Sequence, residues 1–156
     1  MLFSCGNEVV KDPTNPFAGC KFGKPEAIFS SEISVIKTHS FNIKGEAAIE
    51  KMGLENGNQL EIIQTGCNTI HQEMLFSLPI AASAVPLVEL ASNELANLGG
   101  FSENHMIFNI WANAIEQYAD EFSPGKEVEL EPGKFASIDK IKSSDGVLLR
   151  VILSMR

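Results

Sequence analysis

The hydrophobic pattern of this chain changes its period twice, and these changes constrain the fold more than any other feature. From residue 33 to residue 78 apolar and polar residues tend to alternate, which is typical of strands with one buried face. From residue 86 to residue 122 apolar residues recur every three or four positions, which is typical of amphipathic helices. Strand patterns return after residue 127. This order predicts an α+β fold, with two helices packed on one face of an antiparallel sheet.

Two turn signals divide the strand blocks into hairpins. Asn56-Gly57 is the strongest short hairpin signal in the chain, and Ser144-Asp145-Gly146 marks a second turn. The predicted strands cover residues 33–43, 47–54, 59–65, 69–78, 127–131, 135–142 and 147–155. We therefore predict a sheet built from an N-terminal meander and C-terminal hairpin strands.

The two helices are delimited by proline and glycine. Pro86 suits a first turn, and Gly99-Gly100 ends the first helix. The second helix is predicted from Ser102 to about residue 122. Its predicted buried stripe contains Ile107, Ile110, Trp111, Ala114, Ile115, Tyr118 and Phe122. Residues 80–85, between strand and helix, form either an exposed mobile loop for partner contact or a buried connection.

The composition is that of a single folded domain with an acidic surface. The chain has 156 residues, of which 44% are hydrophobic, and its 12 Lys and Arg against 20 Asp and Glu give a net charge of -8. This charge repels phosphate backbones, so nucleic acid is not expected as a partner, whereas a basic protein is. The longest apolar run, residues 74–88, is shorter than a membrane span and contains two prolines.

The N-terminus resembles the signal of bacterial lipoproteins. Leu2-Phe3-Ser4-Cys5 has the lipobox arrangement of a leucine three residues before a cysteine, although Phe3 is a poor match. A working signal also needs a basic start and an apolar run of about 7–15 residues. Only Met1 to Ser4 precede Cys5, so either the sequence begins inside a signal or Cys5 is an ordinary cysteine near a cytosolic N-terminus. The resemblance implies lipid attachment at Cys5 and a cell-envelope location on the periplasmic or surface side.

The same resemblance accounts for the odd number of cysteines. If Cys5 carries acyl chains, Cys20 and Cys67 remain as a pair that an oxidising compartment would hold as a disulfide. The alternative is a thiol nucleophile, although no catalytic cysteine motif surrounds either residue. In a cytosolic protein all three thiols would be reduced.

Residues 1–31 are predicted to be a signal remnant and a linker or tether, and residues 32–156 a single domain. Pro13, Pro16 and Pro25 exclude a helix in the first part. A bonded Cys20 would pin the second half of this linker to the domain and shorten the free tether to about residues 6–15.

Candidate catalytic residues are few. His71 and Glu73, two positions apart on a predicted strand, share its solvent face and could exchange a proton or contribute to a metal site. His39 would supply a third ligand if its strand were a neighbour. Polar residues are, however, common on the solvent-exposed face of a strand without any catalytic role. His105, in a first helical turn, is expected to be exposed, and Trp111 and Tyr118 are expected in the core.

Two functions follow as hypotheses. The first is a membrane-tethered lipoprotein that binds a protein as an inhibitor, immunity-like protein or assembly factor, without catalysis and without a cofactor or metal. The second is a small hydrolase or metal-dependent enzyme that uses His71 and Glu73. If Met1 is the natural start, the protein is instead cytoplasmic.

Overall fold

The structure, a computed structural model, describes residues 14–156 and has the predicted α+β architecture. The strands are β1 (Ile36–Lys44), β2 (Ala47–Leu54), β3 (Gln59–Thr65), β4 (Ile70–Leu78), β5 (Val128–Glu131), β6 (Lys134–Lys142) and β7 (Val147–Met155). The helices are α1 (Leu87–Gly99) and α2 (Ile107–Gln117), with short 3-10 turns at Ile80–Ala84, Glu103–His105 and Ala119–Glu121. All neighbouring strands pair antiparallel, in the order β1-β2-β3-β4-β7-β6-β5.

The pairing of β4 with β7 joins the two halves of the chain at the middle of the sheet. Ile70 lies opposite Met155 and Leu78 lies opposite Val147, so the strands pair over their full length. The N-terminal meander therefore continues directly into the C-terminal hairpins as one sheet. Both helices belong to the segment that connects these two strands.

The predicted hairpin at Asn56-Gly57 is present between β2 and β3. The Gly57 N–H donates to the Leu54 carbonyl at 3.0 Å, and the Leu54 N–H donates to the Asn58 carbonyl at 2.8 Å. Gly57 has a φ of 88°, in the left-handed region where a side chain is strained. The turn therefore depends on glycine at this position.

One face of the sheet and the two helices enclose the hydrophobic core. Alternate residues of the central strands, among them Ile62, Met74 and Val151, are completely buried there. Leu95 of α1 and Ile115 of α2 are completely buried in the same cluster. The opposite face of the sheet carries no helix within residues 14–156, and we call it the open face.

The two helices pack closely where α1 ends. A Cβ atom at Gly99 would lie 2.5 Å from the side chain of Asn109, a distance that atoms in contact do not adopt. Because Gly99 has no side chain, the side chain of Asn109 in α2 can approach the backbone at the end of α1.

The predicted buried stripe of α2 is partly wrong. Trp111 and Ile115 are buried as predicted, but Ile107 and Ile110 are 50% and 57% exposed. Phe108 is buried in their place, and its ring stacks on Phe29 with centroids 5.7 Å apart. Phe108 faces the core because Phe29, which is distant in the sequence, packs against it. Helical spacing alone did not show that partner.

The packed part of the chain begins before residue 32. The Sγ atoms of Cys20 and Cys67 lie 1.94 Å apart, at bonding distance, which confirms the predicted pairing. Phe29 is 3% exposed and belongs to the core cluster. Two further hydrogen bonds join this segment to the β3–β4 turn, from the Lys21 N–H to Asn68 and from the Phe22 N–H to Cys67. The second half of the predicted linker is thus attached to the domain.

The connection at residues 80–85 forms a 3-10 turn with no fully buried residue. Ile80 is 44% exposed. The Lys140 ammonium group donates to the carbonyls of Ser83 at 3.2 Å and Val85 at 2.6 Å, which fixes the end of the turn to β6. The segment is therefore exposed on its surface and anchored through its backbone, a combination of the two predicted alternatives.

Candidate functional site

His71 and Glu73 lie where the sequence placed them, on β4 and its open face, but they do not form a pair. The Arg150 Nε donates to the Glu73 carboxylate at 2.7 Å, from the neighbouring strand β7. His71 lies opposite Ser154 and Thr65 and borders a shallow surface depression that also contains Gln72. Glu73 is thus paired with Arg150 and not with His71.

His39 does not join His71. It lies on β1, separated from β4 by two strands, so the condition for a third ligand is not met. Its Nε2 donates instead to Oε1 of Glu50 at 2.7 Å. Within residues 14–156, no group of three His, Cys, Asp or Glu side chains has the spacing of a metal site.

Glu50 is a completely buried carboxylate that organises the N-terminal segment. It lies on β2, on the core face, with 0% exposure. Besides His39, Oε1 accepts the Phe29 N–H at 2.9 Å, and Oε2 accepts the Ile28 N–H at 2.8 Å. Both oxygens are occupied by donors, which compensates for the loss of hydration on burial. The cluster is therefore a structural anchor for residues 28 and 29.

His105 holds the same segment from the opposite side, and its predicted exposure is wrong. It is 7% exposed, and its ring stacks on Phe29 at 4.5 Å. Its Nε2 donates to the Ile28 carbonyl at 2.8 Å, and its Nδ1 accepts from the Ser102 hydroxyl at 2.7 Å. The sequence did not show this role because the contacted segment is 77 residues away.

The cysteines fall into two groups. Cys20 and Cys67 are bonded to each other, so neither is a free thiol nucleophile in this structure. Cys5, the proposed site of lipid attachment, lies outside the described residues, as does the whole lipobox-like sequence.

The surface that most resembles a binding site is on α2. Met106, Ile107 and Ile110 are 58%, 50% and 57% exposed, and we call these three residues the apolar ridge. Beside it, a cleft of about 50 Å³ is lined by six apolar residues and by the ion pair of Glu131 with Lys134. The apolar residues are Ile107, Ile110, Trp111, Ala114, Leu130 and Met155. A second cleft of about 140 Å³ shares Ile107 and Trp111 with the first. These clefts are too small for a typical metabolite but have room for the tip of a protein side chain.

The apolar ridge lies in a strongly acidic part of the chain. Residues 87–121, which we call the helical layer, include six acidic residues and no Lys or Arg. The six are Glu89, Glu94, Glu103, Glu116, Asp120 and Glu121. All except Glu94 are exposed. The helical layer therefore combines exposed apolar side chains with an excess of negative charge among its own residues.

The chain was compared with family models, with curated proteins and with solved structures. No match was found in any of the three comparisons. No helix within residues 14–156 is long and apolar enough to cross a membrane.

The sequence pattern predicts the wrong role for two residues of the apolar ridge and none for the third, Met106. Ile107 and Ile110 are predicted to be buried because their spacing matches that of Trp111 and Ala114. One available signal was the width of the pattern: with Phe108 and Ala112 included, apolar residues cover more of α2 than one packing contact can bury.

Proposed function

We propose that this chain is a membrane-tethered lipoprotein of the cell envelope whose folded domain binds a protein partner and performs no catalysis. The observation that carries the proposal is the apolar ridge in its acidic surroundings. Contiguous exposed apolar side chains rimmed by polar residues are typical of interaction surfaces. An inhibitor, an immunity-like protein or an assembly factor would all use such a surface.

The partner is expected to present an exposed apolar side chain surrounded by basic residues. An apolar side chain would fill the cleft beside Trp111, where it loses its contact with water. Basic residues around it would face the five exposed acidic residues of the helical layer. Since exposed charges are screened by salt, association should slow as ionic strength rises.

Photo-crosslinking from the apolar ridge tests the binding proposal. A photoreactive amino acid replaces Ile110 in the full-length protein in its own cells, and the same replacement at Ile141 serves as control. The two side chains are 57% and 56% exposed, but Ile141 lies on β6, on the open face. We expect one protein to crosslink from position 110 and not from position 141. Identical products from both positions, or none from position 110, would contradict the proposal.

The identified partner then allows a quantitative test with purified proteins. We expect Ile110→Gln to weaken binding by a factor of about 10 or more, as loss of a central apolar contact does. Ile141→Gln should leave the affinity unchanged. Equal effects of the two substitutions would place the interface elsewhere.

The membrane tether is a separate part of the proposal. Nine residues lead from Cys5 to Thr14, a stretch that spans at most about 30 Å when extended. An acylated Cys5 would therefore keep the domain near the membrane surface. Metabolic labelling of the full-length protein with an alkyne fatty acid tests this: the label should be present in the wild type and absent from Cys5→Ser. An unlabelled wild-type protein would contradict lipidation and leave the binding surface unaffected.

A further inference from the structure

A further cavity, at the edge of the helical layer, has the chemistry of a specific cation site. This groove, of about 340 Å³, lies between α1, the turn after β2 and the residue before β1. Its lining is apolar at Val35, Leu54, Leu98 and Phe101, and polar at Glu55, Asn56, Glu94 and Asn97. Its size is that of a small ligand pocket, sufficient for one long side chain.

Glu94 is the distinctive group of this groove. Burial raises the pKa of its carboxyl above the ordinary value. Within residues 14–156, no cation and no hydrogen-bond donor contacts this carboxylate. The other partly or wholly buried glutamates have partners: Glu50 has His39, Glu61 has Lys51, and Glu73 has Arg150. Glu94 is thus a half-buried negative charge that an external cation would stabilise.

Among residues 14–156, no Lys or Arg forms an ion pair with Glu94. The helical layer contains no Lys or Arg. Lys37 is 3.9 Å from the carboxylate of Glu55, which lines the groove, and both side chains are more than half exposed. The negative charge of Glu94 in the groove therefore favours a cation from another molecule.

We propose that this groove binds an arginine side chain of the protein partner, with its guanidinium group on Glu94 and its aliphatic stem against Val35 and Leu54. The proposal rests on the protein-binding function inferred above and names one residue type of the partner. A guanidinium group suits the groove better than an ammonium group because it is less strongly hydrated and stacks on aromatic rings such as Phe101. The Asn97 side chain offers an amide oxygen for its remaining N–H groups.

The groove can be tested without the partner by NMR titration of the purified domain with three probes. Butylguanidinium represents arginine, butylammonium represents lysine, and butanol lacks the charge. We expect saturable shifts at Glu94, Leu98 and Phe101 with butylguanidinium, binding at least about threefold weaker with butylammonium, and none with butanol. Equal binding of the two cations would overturn the assignment of arginine, and equal binding of butanol would overturn the cation site.

Two variants and a pH series complete the test. Glu94→Gln should weaken butylguanidinium binding by a factor of about 10, the size of one charge-assisted contact, whereas Glu116→Gln, at an exposed position of the same layer, should not. Binding stabilises the charged carboxylate, so the probe should lower the pKa of Glu94, and acidification through that pKa should release the probe. A pH-independent affinity, or full binding by Glu94→Gln, would contradict the proposal.

The outcome is distinguishable from failure of the proposed function. If the probes do not bind but crosslinking from Ile110 still captures a partner, the groove proposal fails and the apolar ridge remains. If the probes bind but no partner crosslinks, the groove is a cation site and the partner proposal fails.

Discussion

Two combinations of histidine and glutamate occupy opposite faces of the same sheet, and they behave very differently. His39 and Glu50, on the core face, form a hydrogen-bonded pair that also holds two backbone N–H groups. His71 and Glu73, on the open face, lie two positions apart on one strand, and Glu73 is bonded to Arg150. His71 and Glu73, which are close in the sequence, do not pair with each other. His39 and Glu50, which lie on two different strands, form a pair that the sequence pattern does not predict.

The difference shows what a polar residue needs in each environment. A carboxylate on the open face keeps its contact with water, so it tolerates any partner or none. A carboxylate with 0% exposure, such as Glu50, must be fully hydrogen-bonded, because an unpaired buried charge is costly. The core-face pair therefore determines the position of residues 28 and 29, whereas Glu73 on the open face is bonded to Arg150 of the neighbouring strand.

The largest expected effect is that of Glu50→Ala. The substitution removes the partner of His39 and leaves the N–H groups of Ile28 and Phe29 unsatisfied in a buried place. We expect a loss of about 3–5 kcal/mol in the free energy of unfolding, measured by urea denaturation. The matched change on the open face, Glu73→Ala, should cost less than about 1 kcal/mol. Similar losses for the two variants would refute the comparison.

Removal of the disulfide should have the next largest effect. The bond closes a segment with a sequence separation of 47, for which chain entropy gives about 4 kcal/mol as an upper value. We therefore expect Cys20→Ser/Cys67→Ser to lose about 2–4 kcal/mol in urea denaturation.

The same double variant separates the two anchors of the N-terminal segment. If Glu50 holds residues 28 and 29 independently of the disulfide, their amide protons should remain protected from hydrogen exchange. Loss of protection at Phe29 after removal of the disulfide would show that Glu50 is not a sufficient anchor.

A smaller effect is expected for His39→Ala. This change removes one donor to Glu50 but leaves the two backbone donors in place, so a loss of about 1–3 kcal/mol is expected. His71→Ala should lie within about 0.5 kcal/mol of the wild type, as a surface substitution does. Thermal and urea unfolding of both variants measure these losses. An equal loss of stability in His71→Ala and His39→Ala would contradict the prediction.

A small effect of opposite sign is expected from the half-buried Glu94. Because the pKa of Glu94 is raised in the folded state, protonation favours folding, and stability decreases as pH rises through the folded-state pKa. Glu94→Gln should abolish this dependence and, near neutral pH, raise the stability by less than about 1 kcal/mol. Urea denaturation at several pH values measures it; a stability loss at neutral pH would show that Glu94 has an internal partner.

The strands and their faces were largely predictable from the sequence because they depend on local pattern. Residues 47–54, 59–65 and 147–155 coincide with β2, β3 and β7, since alternation and turn residues define both ends. The pairing of Cys20 with Cys67 is what the lipoprotein resemblance implies, since it assigns Cys5 to a lipid.

The contacts between distant segments were not predictable in the same way. Phe108 and His105 are buried because Phe29 lies against them, and nothing in the pattern of residues 102–115 identifies a partner so far back in the chain. Glu50 had left a signal: it lies between Ala48 and Met52 on the apolar face of β2, and a charge at such a position requires buried donors. The sequence pattern shows that Glu50 is a charge on an apolar face, but it does not identify the donors that bond to its carboxylate.

The pairing of β4 with β7 also has a kinetic consequence. β7 follows the other strands of the sheet in the sequence, and until it is present the N-terminal meander and the β5–β6 hairpin each expose an unpaired edge. Contacts of such large sequence separation form slowly because the intervening chain must first be ordered. We therefore expect the sheet to close only after β7 is available. Until then both unpaired edges remain accessible to chaperones.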